Sequence, residues 1–172
     1  MKASNIGNTT SLATRVGVLS DSHGEAARTK HAVETLEKLG ATVFIHCGDF
    51  ETIECLDPLA GLNAHIVFGN CDDPGELAEY AKTIGIEVHH PVGELIVDGR
   101  KLAFTHGDRS VDITTGLSTS PDWLFHGHSH EFGERLSAAT RVVNPGALHR
   151  AGVFTVALVE PSTGIRKFIP IQ

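Results

Sequence analysis

The sequence predicts an α/β protein in which two β-sheets pack face to face with helices outside. Short apolar runs recur along the chain, helical stretches separate the first runs, and hairpins dominate the second half. The runs are rich in β-branched residues and bounded by turn residues, which is typical of buried strands. A length of 172 residues with 41% hydrophobic content fits one packed domain.

Six apolar runs end abruptly in polar residues and glycine, and we interpret each as a strand. Helical spacing is clear in residues 25–40, where Gly40 fits a C-terminal cap, and weaker at 51–60 and 74–84. The first part therefore has the order βαβαβα, which predicts a parallel sheet. The predicted strands lie within 16–23, 42–50, 64–72, 101–108, 122–130 and 141–147.

The second half predicts hairpins instead of crossovers. Residues 93–108 form one hairpin that turns near Asp98-Gly99, and residues 154–172 form another that turns at 161–164. We assign residues 1–14 to a polar N-terminal tail and residues 15–172 to the domain.

Composition excludes several classes of protein. Three cysteines suggest no disulfide framework, which favours the cytoplasm. A formal net charge of -7 provides no basic face for long nucleic acid, and no apolar run reaches membrane-spanning length. Exposed edge strands would offer a route to a homo-oligomer.

Polar residues collect where the predicted strands end. A single Asp-x-His or Gly-Asp is more often a solvated turn than a ligand pair. Five strand ends repeat the arrangement here, however, and sites in open parallel sheets form beyond the carboxyl ends of strands. These residues are Asp21, His23, Asp49, Asn70, His106, His128 and His130.

The chemistry of these side chains predicts a metal centre. Three Asp or Asn oxygens with four imidazoles and no thiolate suit manganese, iron, zinc, nickel or cobalt better than calcium or a structural zinc. Seven ligands exceed the need of one ion. Two ions that share one carboxylate, at the roughly 3.5 to 4 Å separation of dinuclear centres, would use them all.

The stretch FHGHSH, residues 125–130, contains three histidines at alternate positions. In an extended chain His126 and His130 would lie about 13 Å apart, too far for both to reach one compact centre. We therefore expect His128 and His130 to take one metal each. We expect His126 to pack or hydrogen-bond behind the site.

As a set, these motifs resemble the calcineurin-like metallophosphoesterases. That family carries D-x-H, G-D, G-N-[H or C]-[D or E], H and G-H-x-H in this order. The chain offers Asp21-Ser22-His23, Gly48-Asp49, Gly69-Asn70-Cys71-Asp72, His106 and Gly127-His128-Ser129-His130. The Cys in the third motif and the later Asn144-Pro145-Gly146 are similar to the small single-domain phosphodiesterase branch.

The resemblance implies a four-layer αββα sandwich and hydrolysis of a small phosphodiester or phosphomonoester. It implies two divalent ions, with manganese the first candidate, and attack by a hydroxide that bridges them. Asp49 would bridge the two ions. One ion would bind Asp21, His23, Asp49 and His130, and the other Asp49, Asn70, His106 and His128.

The remaining assignments rest on the mechanism that the resemblance implies and on the positions of the residues. The catalytic residues would be Asp49, Asn70 and Asp72, with Asp72 orienting a ligand or the substrate. Asn70, Cys71 and Arg150 would contact the substrate, with a solvated surface arginine as the alternative for Arg150. The loops at 109–121 and 148–152 would set selectivity.

Two departures from the family pattern bear on mechanism. Cys71 stands where larger phosphatases have the histidine that is a candidate proton donor, and we expect a small buried residue there. Ala147 follows Asn144-Pro145-Gly146 where small members commonly have serine. Reliance on the metals alone would then favour good leaving groups.

Two alternatives belong to other classes of function. The first is a non-catalytic scaffold module of the same fold, since the family also contains a retromer subunit that has lost metal ligands. All ligand positions are filled here, which favours an enzyme. The second is a metal-dependent nuclease, which the acidic charge disfavours.

Overall fold

A computed structural model describes residues 12–172, in which eleven strands form two mixed sheets. Residues 1–11 of the predicted polar tail lie outside the described residues. The strands are β1 (Arg15–Leu19), β2 (Ala41–His46), β3 (Ala64–Ile66), β4 (Glu87–Val88), β5 (Val92–Val97), β6 (Arg100–Thr105), β7 (Trp123–Phe125), β8 (Gly133–Ser137), β9 (Thr140–Asn144), β10 (Thr155–Glu160) and β11 (Ile165–Pro170).

The first sheet has six strands in the order β11-β10-β1-β2-β3-β4. Strands β1 to β4 are parallel, as the alternation of strands and helices predicts, and β10 joins β1 antiparallel. The second sheet has five strands in the order β5-β6-β7-β9-β8. In it β6, β7 and β9 are parallel, while β5 and β8 pair antiparallel at the edges.

Three α-helices lie in the described chain: α1 (Ala26–Lys38), α2 (Pro74–Thr83) and α3 (Ser110–Ser118). The first two match the predicted helices, and the Asp73 side chain caps α2 by accepting from the Gly75 N–H at 2.9 Å. The prediction at 51–60 is wrong in type. Two 3-10 turns replace an α-helix there, because Pro58 has no N–H to donate to the Glu54 carbonyl as a continuous α-helix requires.

Three hydrophobic clusters divide the molecule into four layers. The first lies between α1, α2 and the outer face of the first sheet, with Leu36, Phe44 and Leu77 at its centre. The second fills the space between the two sheets, and the third packs α3 on the outer face of the second sheet. The predicted αββα sandwich is therefore confirmed.

The predicted strands are present but shorter than the apolar runs. Strand β7 ends at Phe125, and the chain then turns instead of continuing to residue 130. Both predicted hairpins form, as β5–β6 and β10–β11. Strands β4 and β8 were not predicted, because β4 has two residues and no residue of β8 is buried.

Strands β11, β4, β5 and β8 are the sheet edges. Self-association through these edges stays a prediction. Within residues 12–172 no helix combines the length and the apolar character needed to cross a membrane.

Candidate metal centre

The predicted ligands converge because parallel strands present their carboxyl ends at one edge of the sandwich. In the first sheet, Asp21 follows β1, Asp49 follows β2 and Asn70 follows β3. In the second sheet, His106 follows β6, and the loop with His128 and His130 follows β7.

One group of donor atoms surrounds the side chain of Asp21. The Nε2 atom of His130 lies 3.2 Å from Asp21 Oδ1 and 3.3 Å from His23 Nε2. His23 Nε2 lies 4.0 Å from the same Asp21 oxygen and 3.5 Å from Asp49 Oδ2. Asp21, His23, Asp49 and His130 thus face one small volume.

A second group shares Asp49. His106 Nε2 lies 3.4 Å from Asp49 Oδ2 and 3.2 Å from Asn70 Oδ1. The ring of His128 meets that of His106 edge to face, with 5.2 Å between their centroids. The Asp49 Oδ2 atom therefore lies between imidazoles from both groups.

Three of the four predicted imidazole ligands are oriented by a bond at Nδ1. The Nδ1–H of His23 donates to Glu51 Oε1 at 2.7 Å, and that of His106 donates to the Cys47 carbonyl at 2.8 Å. The Nδ1–H of His130 lies 3.4 Å from the Arg150 carbonyl. Each Nε2 atom is thereby turned toward the centre, an orientation common to metal-binding histidines.

The charge of Asp49 dominates the titration of the second group. Burial raises the pKa of Asp49, but the hydrogen bond from His106 and the Cys71 N–H lower it to about 2. Burial lowers the pKa of His106, but the hydrogen bond and the charge of Asp49 raise it to about 9. A cation is therefore favoured beside Asp49.

The loops that carry these residues adopt left-handed backbone conformations. Asp21, His23, Asp49, His128 and His130 have φ between 42° and 67°, a region that is uncommon for residues other than glycine. Such conformations persist where the surroundings overdetermine them, and they cluster at functional sites.

Asp72 lies behind Asp49 and binds backbone amides. Its carboxylate accepts from the N–H groups of Asp49 at 2.8 Å, Phe50 at 2.6 Å and Glu51 at 2.9 Å, and also from Gly69 at 2.8 Å. Both oxygens are thus engaged in holding the Asp49 loop against the Asn70 loop. This placement favours a positioning role over direct catalysis.

His46 lies beneath the centre and was missed by sequence reasoning. It is fully buried at the end of β2, accepts from the Gly48 N–H at Nδ1 and contacts Ser22 Oγ at 2.8 Å through Nε2. Burial lowers its pKa to about 3, so the ring is neutral and joins the β1 and β2 loops. Glu51 was missed as well, and only its place after Gly48-Asp49 marks it.

Asn144 holds the loop after β7. Its Nδ2 donates to the Gly127 carbonyl and to Ser129 Oγ, both at 3.0 Å, while its Oδ1 accepts from the Gly146 N–H at 2.9 Å. A side chain at Gly127 would overlap Ser20 Oγ and Asp21 Oδ2. The Asn-Pro-Gly segment therefore fixes the loop that presents His128 and His130.

Cys71 and Arg150, predicted to contact substrate, lie at the rim. The expectation that Cys71 is buried is wrong: its side chain is exposed, because only its backbone N–H turns inward, to Asp49 Oδ1 at 2.9 Å. Partial burial and the neighbouring carboxylates raise the pKa of the Cys71 thiol to about 11. Arg150 is exposed beside His130.

His126 lies apart from the donor groups. Its Nδ1–H donates to the Gly127 carbonyl at 3.1 Å, and burial lowers its pKa. The sequence-based separation of His126 from His130 assumed an extended chain, but the chain turns sharply after Phe125. This turn separates His126 from His128.

The donor set fits divalent ions. Asp21 and Asp49 are buried, with 0% and 2% of their residue surface exposed. Within the described chain their carboxylates form ion pairs with imidazoles alone. Buried carboxylates are costly without a cation. The inward Nε2 atoms and the absence of thiolates from these groups suit borderline metals.

Comparison with known proteins agrees with this geometry. A family model described as the calcineurin-like phosphoesterase superfamily domain matches residues 14–164. The chain belongs to the calcineurin-like phosphoesterase superfamily. It is accordingly a hydrolase that acts on phosphate esters, as the motif series predicts.

A curated relative in the superfamily is a phosphodiesterase from Methanocaldococcus jannaschii. It is 26% identical over 155 residues, which cover 85% of this chain and 92% of the relative. This relative and the chain therefore correspond over nearly their whole lengths.

Solved structures share the superfamily fold. An archaeal phosphodiesterase superposes with a TM-score of 0.80 at 24% identity, covering 91% of this chain and 99% of its own. The phosphoesterase Yfce from E. coli gives 0.68 at 17%, covering 92% and 100%. Vacuolar protein sorting 29 from Cryptosporidium parvum gives 0.61 at 16%, covering 86% and 85%.

Proposed function

We propose that the chain is a dinuclear metal-dependent phosphoesterase that hydrolyses a small phosphodiester or phosphomonoester. The observation that carries the proposal is the pair of donor groups that share Asp49 Oδ2, which lies 3.5 Å from His23 Nε2 and 3.4 Å from His106 Nε2. One carboxylate oxygen between two imidazole groups suits a bridge between two ions.

The proposed ligands divide between two positions. Asp21, His23 and His130 would hold one divalent ion, and Asn70, His106 and His128 the other, with Asp49 common to both. When bound, such ions supply a hydroxide nucleophile near neutral pH and neutralise phosphoryl charge. Manganese is the proposed metal, and iron, zinc, nickel and cobalt suit the same ligands.

The rim residues would bind the substrate. Asn70 Oδ1 faces His106, whereas its Nδ2 lies at the exposed side, 3.4 Å from Cys71 Sγ. We assign this amide N–H to a phosphoryl oxygen. The guanidinium of Arg150 would bind a second oxygen, in the bidentate manner that arginine favours.

The leaving group receives little help from acid catalysis. The Cys71 thiol, with a pKa of about 11, stays protonated at neutral pH but is a weak proton donor. The proposed substrates are therefore small esters whose leaving group is stable as an anion, and long nucleic acid is disfavoured by the net charge of -7. The free thiols of all three cysteines support a cytoplasmic location.

Hydrolysis of aryl phosphate esters tests the proposal. After chelation and dialysis, we expect added manganese to restore hydrolysis of bis-p-nitrophenyl phosphate or of p-nitrophenyl phosphate. Asp49→Asn should reduce it at least about 100-fold, as loss of a shared ligand would. The exposed His31→Gln is the matched control and should retain full activity.

Failure has a distinct outcome for each alternative. No hydrolysis of either ester together with weak manganese uptake would refute the enzyme and support the scaffold module. Cutting of single-stranded DNA at low salt, faster than hydrolysis of either small ester, would favour the nuclease instead.

A further inference from the structure

A second cluster of imidazoles and a carboxylate lies at the β4 edge of the first sheet. It contains His65, Glu87 and His89, none of which belongs to the centre described above. His65 in β3 pairs with Glu87 in β4, and the His89 N–H donates to the Ile66 carbonyl at 2.9 Å. The strand register therefore places the three side chains together.

The distances between the donor atoms resemble the edges of a coordination tetrahedron. His65 Nδ1 lies 3.1 Å from His89 Nε2, and Glu87 Oε2 lies 3.5 Å from the former and 3.6 Å from the latter. Ligands placed about 2.0–2.2 Å from a tetrahedral zinc ion are about 3.3–3.6 Å apart. The three atoms thus need shifts of only a few tenths of an ångström.

Hydrogen bonding alone does not account for the position of Glu87. Its oxygen is about equally far from two imidazole nitrogens, and both distances exceed the 2.7–3.2 Å typical of an N–H···O bond. On the other side of the His65 ring, Nε2–H donates to Asn63 Oδ1 at 3.0 Å. That bond fixes the tautomer with the Nδ1 lone pair toward the cluster, as for a metal ligand.

Burial suits the cluster to a borderline metal. The His65 side chain is 8% exposed, whereas that of Glu87 is 67% exposed, so the cluster opens to solvent on the carboxylate side. Burial lowers the pKa of both His65 and His89. Two partly buried imidazoles beside an exposed carboxylate suit a borderline metal.

We propose that His65 Nδ1, His89 Nε2 and Glu87 Oε2 bind one additional divalent ion of the zinc class, with water in the fourth position. Two imidazoles and one carboxylate suit zinc, cobalt or nickel rather than magnesium or calcium. The site fastens β4, whose two residues are both exposed, to the interior strand β3. It does not depend on the proposed phosphoesterase centre.

Proton movement on binding is small. In the hydrogen-bonded pair, His89 Nε2–H donates to His65 Nδ1, because the proton of His65 resides on Nε2. Coordination requires the His89 proton to move to its Nδ1 atom, which leaves both rings neutral. Glu87 binds as the carboxylate.

Zinc stoichiometry tests the site. We expect the intact chain, dialysed against buffered free Zn²⁺, to hold one zinc more than His89→Gln as measured by plasma mass spectrometry. The exposed His31→Gln should hold as many ions as the unaltered chain. In an Asp49→Asn, His106→Ala background the same one-zinc difference is expected, which separates this site from the dinuclear centre.

A second variant distinguishes loss of the site from misfolding caused by His89→Gln. Glu87 is exposed, so Glu87→Gln should leave the fold and the imidazole pair intact. It should lower the affinity for the additional zinc at least about tenfold, which is the smallest loss expected even for a group that only orients a ligand. Cobalt at the site should give the strong visible absorption of four-coordinate Co²⁺, lost in Glu87→Gln. Equal zinc content and equal affinity in all variants would overturn the proposal.

Discussion

At the scale of single residues, the site depends on where each imidazole carries its proton. Glu51 and the carbonyls of Cys47 and Arg150 accept from Nδ1 atoms, so that the Nε2 atoms of three histidines face inward. These orienting groups therefore hold three of the four predicted imidazole ligands with Nε2 toward the centre.

The histidines after β7 provide a matched pair of variants. His128→Ala removes a proposed ligand, and we expect hydrolysis to fall at least about 100-fold with loss of bound manganese. His126→Phe keeps a ring of similar size outside the donor groups and should retain metal content and most activity. Ester hydrolysis and metal analysis check both; equal loss in the two variants would contradict the assignment.

The neutral state of His46 predicts a stability that depends on pH. The pKa of His46 is about 3 in the folded chain, whereas its ordinary value is 6.5. Between these two pH values only the unfolded chain binds a proton on His46. Stability is thus present above pH 6.5 and is lost toward pH 3. Between pH 6.5 and 4.5 this costs about 2–3 kcal/mol at roughly 1.4 kcal/mol per pH unit.

Urea unfolding with chelator present measures this loss. We expect His46→Gln to be less stable than the unaltered chain at pH 7, yet to lose less stability on acidification. The exposed His31→Gln should follow the unaltered chain. Parallel pH profiles for His46→Gln and the unaltered chain would show that the ring is not held neutral.

Sequence reasoning found residues that stand in motifs and missed those that act through them. Asp21, His23 and Asp49 were predictable because each follows a strand end with glycine or serine beside it. His46 was not, because a histidine at the end of an apolar run has the same pattern as a packed core residue. Its partner Ser22 becomes a neighbour only through the β1–β2 pairing, and the bond from the Gly48 N–H depends on the turn after β2.

At the scale of elements, strand ends position the site and tight loops complete it. The alternation of strands and helices predicts parallel pairing, which brings the carboxyl ends of β1, β2 and β3 together. The loops then turn through left-handed residues, which no periodicity in the sequence reveals.

Helix α3 shows a further limit of sequence reasoning. Residues 109–121 are predicted to be a loop that sets selectivity, but Ser110–Ser118 form a helix although Ser, Thr and Gly are disfavoured in helix interiors. The Thr114 and Thr115 hydroxyls instead donate to carbonyls four residues earlier, at 2.9 and 2.8 Å. Packing of Ile113 and Leu117 on the second sheet stabilises the helix.

Asn144 tests the importance of the loop after β7. Asn144→Ala leaves the Gly127 carbonyl and the Gly146 N–H without this side chain, so we expect His128 and His130 to be less well held. Manganese affinity should fall about 10–100-fold, as for other groups that orient ligands. Titration monitored by metal analysis measures it.

Ser129→Ala is the control for that variant, because it removes only the contact between Ser129 Oγ and Asn144. Its manganese affinity should change less than that of Asn144→Ala. An unchanged affinity in Asn144→Ala would mean that the loop keeps its shape without the Asn144 side chain.

At the scale of the whole molecule, two sheets supply one centre. The second hydrophobic cluster holds the sheets together and includes Phe104 and Phe125. Phe104 lies two residues before His106, and Phe125 comes directly before the loop that follows β7. The proposed ligands come from both sheets and would thus couple metal binding to the packing of the entire sandwich. Ions that bind only the folded state add to its stability.

Metal binding should therefore depend on pH and release a proton. In the metal-free protein the pKa of His106 is about 9, so the imidazole is protonated at pH 7 and must lose this proton to coordinate. Apparent affinity should rise up to about tenfold per pH unit toward pH 9. Calorimetry in two buffers of different ionisation enthalpy counts the protons; affinity independent of pH would contradict the assignment.

In the proposed centre one carboxylate, Asp49, would join two ions. Anomalous diffraction from crystals of the manganese-loaded protein tests it most directly. We predict two manganese peaks about 3.5–4 Å apart with the Asp49 carboxylate between them. A single peak, or two peaks that do not share Asp49, would contradict the account.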